Sequence, residues 1–188
     1  MRIPVIDNGG QWTHREWRVL RDLGVDCTIL PNTAAPGELA GIDGVVLSGG
    51  ALSLEGTDRL GRVGEWIAGV GVPVLGICVG HQFLARHFGG SVARAGAPEF
   101  GRVTLTVEAP EHPLFAGIGS PLAVWESHND QVTTLPPGWR RLARSESCPI
   151  QAMEDPTAPR YGVQFHPEVE HTQGGTRLLS NFRDLCHR

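Results

Sequence analysis

The chain has 188 residues, 40% hydrophobic and 19% charged, with a formal net charge of −4. That length predicts one compact domain over 1–188, and the composition excludes a disordered chain. All 16 cationic residues are Arg and none is Lys, which excludes a lysine Schiff base or a phosphate-loop lysine, while a pI near 6.0 without basic runs argues against nucleic-acid binding.

The 25 Gly and 14 Pro are scattered without a period, which suits a fold with many tight turns. The opening MRIPVIDNGGQW is not a signal peptide, and apolar runs such as 72–79 are too short to span a bilayer. Cys27, Cys78, Cys148 and Cys186 form no CxxC pair. They predict no disulfide framework and no metal site, and a cytoplasmic protein with reduced thiols.

In chain order, residues 2–7 (RIPVID) read as a short strand ending in the turn Asp7-Asn8-Gly9-Gly10. Residues 11–23 read as a helix, with Trp12, Val19, Leu20 and Leu23 near helical spacing and Gly24 stopping it. Strands follow over 25–30, closed by Pro31, and over 43–47, running into Ser48-Gly49-Gly50. Val63, Trp66, Ile67 and Val70 fall at i, i+3, i+4 and i+7 and predict a helix. A strand over 73–77 and a helix over 79–88 come next. Apolar strands alternating with amphipathic helices indicate a parallel sheet covered on both faces. Beyond residue 100, the runs 101–108, 121–126, 139–143, 150–153 and 160–165 either extend that sheet or form an antiparallel flap. A closing helix over 172–186 puts Leu178, Leu179, Phe182 and Leu185 on one side.

The chemistry concentrates at Gly76-Ile77-Cys78-Val79-Gly80, between a strand and a helix. This is the spacing of a nucleophile elbow with Cys in place of Ser. Glycines on either side let strand and helix approach closely, and a helix N-terminus favours the thiolate. The other three cysteines carry no motif and read as small buried hydrophobes. A thiol nucleophile needs a base and an orienting partner. His166, at a strand end in Phe165-His166-Pro167-Glu168, is the best candidate base, because residues two apart in extended chain share a side and Glu168 can reach its far nitrogen. His81 has no carboxylate neighbour, and His14, His87, His112 and His187 read as surface or packing residues. The Val79 amide, just after Cys78, and an amide of the Ser48-Gly49-Gly50 loop are the natural oxyanion donors.

Leu47-Ser48-Gly49-Gly50, Gly76-Ile77-Cys78-Val79-Gly80-His81-Gln82 and Gly162-Val163-Gln164-Phe165-His166-Pro167-Glu168 together resemble the class I, triad-type glutamine amidotransferases. The resemblance spans the chain. Within that class, residues 5–15, 125–132 and 166–172 are most similar to the free-standing glutaminase subunits of archaeal-type GMP synthases. The resemblance implies an α/β three-layer sandwich with a mostly parallel, flavodoxin-like central sheet and a small antiparallel extension. It implies that Cys78, His166 and Glu168 are the catalytic triad, and that Gly50 and Val79 form the oxyanion hole. It implies that Gln82, Ser127, Asn129 and Asp130 bind L-glutamine. His128, Asp130, Glu170 and His171 read either as a docking face or as a solvated rim. The family places Pro after Ser-Gly-Gly, where this chain has Ala51.

No room remains for an ATP-pyrophosphatase domain. The resemblance therefore implies a separate synthetase subunit that carries ATP and Mg2+ and aminates XMP, with no cofactor in this chain and neither nucleic-acid nor membrane partners. Alternative readings are a glutaminase serving another synthase, a γ-glutamyl hydrolase, or a non-catalytic regulatory module.

Overall fold

Strands that are apolar throughout have two faces to bury. The computed structural model, which describes residues 1–57 and 59–187, covers both. Its parallel part is β1 (Val5–Asp7), β2 (Ile29–Pro31), β3 (Val45–Leu47), β4 (Val74–Ile77) and the late strand β9 (Arg160–Val163), in the order β2-β1-β3-β4-β9. Alternate side chains point to opposite sides. Val5, Val46, Leu75 and Ile77 enter one core, and Ile6, Val45, Leu47 and Val74 the other. Helices α1 (Thr13–Asp22) and α3 (Gly175–Leu185) close the first core with Leu20, Leu178, Leu179 and Phe182. Helix α2 (Val79–His87) closes the second with Val79, Phe83 and Leu84. The result is the expected three-layer α/β sandwich.

The later strands extend the sheet. β5 (Ser91–Val107), β6 (Leu122–Thr134), β7 (Arg140–Arg144) and β8 (Ala152–Asp155) continue it antiparallel in the order β9-β8-β7-β5-β6. β5 runs for 17 residues and β6 for 13, well beyond 101–108 and 121–126. Arg94, Gly96 and Pro98 break any apolar alternation, so the sequence pattern is silent there. Pairing with β6 makes the strand, across a register shift between Arg94 and Glu99.

The helix expected around Val63–Val70 is not formed. The segment makes a short 3-10 turn over Val63–Glu65 and further turns. Val63, Trp66 and Ile67 are buried as the spacing requires. Gly61, Gly64, Gly69 and Gly71 crowd the segment, and each costs a helix interior about 0.5–1 kcal/mol relative to Ala. β2 also begins later than expected, so Cys27 precedes it, half-buried. At the other end of the parallel strands, Leu47, Gly76 and Gly162 stand side by side. The segments leaving β1, β3, β4 and β9 therefore emerge along one edge of the sheet, where sites on open α/β sheets lie.

Candidate active site

Cys78 caps α2 with φ 51° and ψ −107°, and among the described residues no other non-glycine has positive φ. Such strain persists only where the surroundings impose it. The two flanking glycines show how. A Cβ on Gly76 would lie 2.5 Å from the Gly80 carbonyl, and one on Gly80 would lie 2.4 Å from the Leu47 carbonyl oxygen. The Cys78 N–H bonds the Val163 carbonyl at 2.9 Å, and its Sγ lies 4.0 Å from the Ser127 carbonyl oxygen.

His166 follows β9 and is clamped to β6. Its N–H donates to the Trp125 carbonyl at 3.0 Å. Thr172 Oγ1 donates to the His166 carbonyl at 2.7 Å and accepts the Trp125 N–H at 2.9 Å. That bridge gives Thr172 a physical role, since its hydroxyl ties the segment after β9 to β6. The His166 ring meets the Trp12 ring edge-on, with centroids 4.4 Å apart. Its Nδ1 lies 2.7 Å from Glu168 Oε1. An ionised carboxylate only accepts, so Nδ1 carries the hydrogen and Nε2 is left for the thiol. A Cβ built on Gly49 would lie 3.1 Å from His166 Cε1 and 3.6 Å from Cys78 Cβ, so base and thiol flank one point. Burial disfavours the His166 imidazolium, but the Glu168 charge and the hydrogen bond with Cys78 outweigh it and hold the ring's pKa well above its usual value.

The Ser48-Gly49-Gly50 strap is pinned from below. Asn8 Nδ2 donates to the Ser48 carbonyl at 2.8 Å, and Ser48 Oγ accepts the Asn8 N–H at 2.9 Å. A Cβ on Gly50 would lie 2.4 Å from the Asn8 carbonyl oxygen and 3.1 Å from Val79 Cγ1, which puts Gly50 against Val79. These restraints all act ahead of Ala51. A cavity of about 540 Å3 opens over Cys78 and His166 and reaches Gln82, Ser127, Asn129 and Asp130. Gln82 Nε2 donates to the Asp130 carbonyl at 2.7 Å and to Gln164 Oε1 at 3.0 Å. Ser53 Oγ donates to Asp130 Oδ2 at 2.5 Å and ties the strap's loop to β6.

The family model described as glutamine amidotransferase class-I matches residues 4–185. The chain belongs to the class I glutamine amidotransferases. A glutamine-hydrolyzing GMP synthase subunit of Thermoplasma acidophilum is 51% identical over 99% of this amidotransferase and 93% of the relative. One of Thermococcus kodakarensis is 46% identical over 98% of each. A solved structure from Thermoplasma acidophilum, 50% identical, matches with a TM-score of 0.94 over 100% of this chain and 94% of that one. A glutamine amidotransferase structure from Thermotoga maritima, 25% identical, gives 0.75 over 90% and 76%.

The geometry corrects one candidate in this amidotransferase. The His128 side chain is buried and cannot belong to a docking face. Its Nε2 bonds Glu99 Oε2 at 2.9 Å and its Nδ1 the Asp130 carbonyl at 2.9 Å. Glu170 and His171 are exposed, with His171 against the Trp125 ring at 4.9 Å. His81 is buried, bonds the Ile150 carbonyl, and is pushed down to about 3 by burial, as a packing histidine should be. His112 is likewise internal, 2.7 Å from Glu154. Burial pushes the thiols of Cys27 and Cys186 up to about 12, and that of Cys148 upward too.

Glu99, His128 and Cys148 are spaced like metal ligands. Both Glu99 oxygens are already engaged, Oε1 by Ser145 and Ser147 and Oε2 by His128 and Gln151. Beside them, Glu126 is fully buried, and burial and then the Glu99 charge push its carboxyl well above the usual range. An unfolded Glu releases its proton near about 4.3. The folded state keeps that proton, so stability falls as pH rises above that value. Glu126→Gln is neutral at every pH. In thermal melts it is expected to match the parent near about pH 4 and to exceed it by a few degrees near about pH 8. Parallel pH profiles would contradict this.

Proposed function

We propose that this chain is the glutamine-hydrolysing subunit of a two-subunit GMP synthase, which delivers ammonia to an ATP-pyrophosphatase subunit that converts XMP to GMP. The observation that carries the chemistry is the 2.7 Å His166–Glu168 contact beside Cys78. The choice of synthase is supported by relatives named as glutamine-hydrolyzing GMP synthase subunits, which match this chain over nearly its full length.

Cys78 Sγ attacks the amide carbon of glutamine, and His166 holds the thiol proton. The Gly50 and Val79 N–H groups receive the oxyanion; Val79 opens α2, so its N–H has no partner within the helix. His166 then protonates the leaving nitrogen, which departs as ammonia and leaves a glutamyl thioester on Cys78. His166 next takes a proton from water, hydroxide adds to the thioester carbon, and glutamate leaves with the thiol restored. Glu168 keeps the ring oriented and stabilises its charged form. Ser127, Asn129 and Asp130 line the cavity where the amino-acid end of glutamine lies, and Gln82 holds the Asp130 backbone beneath it. No cofactor is needed in this chain for these steps; ATP and Mg2+ belong to the partner. Glu170 and His171 form part of the docking rim. The compartment is the cytoplasm, in keeping with four free cysteines.

The test mixes the chain with glutamine, the pyrophosphatase subunit, XMP and ATP-Mg. GMP is expected, and none above a chain-free control overturns the assignment. Glu168→Gln removes the orienting charge and keeps the shape. Glutamine turnover is expected to fall at least about tenfold with an unchanged melting temperature, and an unchanged rate removes Glu168 from the triad.

A further inference from the structure

Helix α1 carries an acid in its buried stripe. Thr13, Glu16 and Leu20 face inward, and Glu16 is 1% exposed. Glu16 is among the residues that line the cavity shared by Cys78 and His166. Oε1 accepts the Gly49 N–H at 3.3 Å, and Oε2 has no hydrogen-bond partner.

The peptide between Ser48 and Gly49 is thereby held at both ends. Asn8 Nδ2 donates to its carbonyl oxygen, and Glu16 accepts from its N–H. Glycine at 49 would otherwise let this peptide rotate, since it populates both signs of φ. The next amide along is that of Gly50. We propose that Glu16 is a positioning residue for glutamine hydrolysis: by holding the Gly49 amide it fixes the strap so that the Gly50 N–H meets the oxyanion. The inference rests on the glutaminase reading above.

A neutral acceptor suits this site. The groups facing Glu16 are Glu168 and His166 from the segment after β9, Cys78 from the elbow and the Gly49 N–H from the strap. Burial and the Glu168 charge push the Glu16 carboxyl well upward, against the pull of the Gly49 N–H and His166. A charged Glu16 would oppose both the thiolate and the oxyanion. A neutral one still accepts the Gly49 N–H through its carbonyl oxygen and adds no negative charge.

The test measures glutamate release by the complex with the pyrophosphatase subunit, for Glu16→Gln and Glu16→Leu. Gln keeps a neutral acceptor oxygen, and kcat is expected within about threefold of the parent. Leu removes it, and kcat is expected to fall about tenfold or more with KM within about threefold. Ammonium-driven GMP formation stays unchanged in both. If the Leu variant does not fold, Glu16→Met takes its place under the same criteria. An active parent with an equally active Leu or Met variant overturns the proposal alone, and so does a Gln variant that falls as far as Leu. An inert parent overturns the glutaminase reading and this proposal with it.

Discussion

Cys78→Ala is expected to abolish glutamine-dependent GMP formation, by at least about 10^4-fold, while ammonium-dependent formation by the partner continues at the parental rate. Removing Sγ takes away the sulfur that forms the thioester, and among the described residues no other cysteine lines the cavity. The fold should not suffer. Cys78 packs as a small buried side chain at 5% exposure, and Ala fills most of that space. Its positive φ is no worse for Ala than for Cys. A variant that keeps glutamine-dependent activity would show that another group attacks. One that loses ammonium-dependent activity as well would show damage to the docked complex instead.

Gly80→Ala is expected to damage fold and activity together. The added carbon would lie 2.4 Å from the Leu47 carbonyl oxygen and 2.8 Å from Leu47 Cβ. The main obstacle is backbone of a central strand, so no rotamer change relieves it. Either α2 or β3 must move, and both carry the site: α2 presents Cys78 and Val79, and β3 leads into the strap. Overpacking of this kind costs about 1–3 kcal/mol or more. A melting temperature lower by several degrees and glutamine turnover lower by about 100-fold are expected together. Gly71→Ala is the control for an added methyl without a clash, since a Cβ there meets nothing within 4 Å and its φ, like that of Gly80, is not positive. Equal effects from the two would contradict a packing origin.

The elbow was legible because its requirements are local. Two glycines around Cys78 and an apolar strand before it describe the strained turn completely, and the contacts of Gly76 and Gly80 bear that out. His166 was legible for a similar reason, as Glu168 is its neighbour in sequence. What was not legible depends on remote partners. Val63, Trp66, Ile67 and Val70 carry a helical period, yet the intervening glycines prevent the helix while leaving the burial intact. Residues 91–99 carry no period at all and become strand because β6 lies beside them. His128 read as a rim residue because nothing in its own segment shows that Glu99, from β5, closes over it. Glu16 did leave a signal: it stands four residues after Trp12 and four before Leu20, an acid inside an apolar stripe.

The most direct measurement is to treat the complex with a glutamine-directed chloroketone and map the modified peptide by mass spectrometry. Labelling of Cys78 alone is predicted, blocked by excess glutamine, with glutamine-dependent GMP formation lost in proportion and ammonium-dependent formation retained. Loss of glutamine-dependent activity with Cys78 unmodified, or labelling that glutamine does not prevent, would contradict the account.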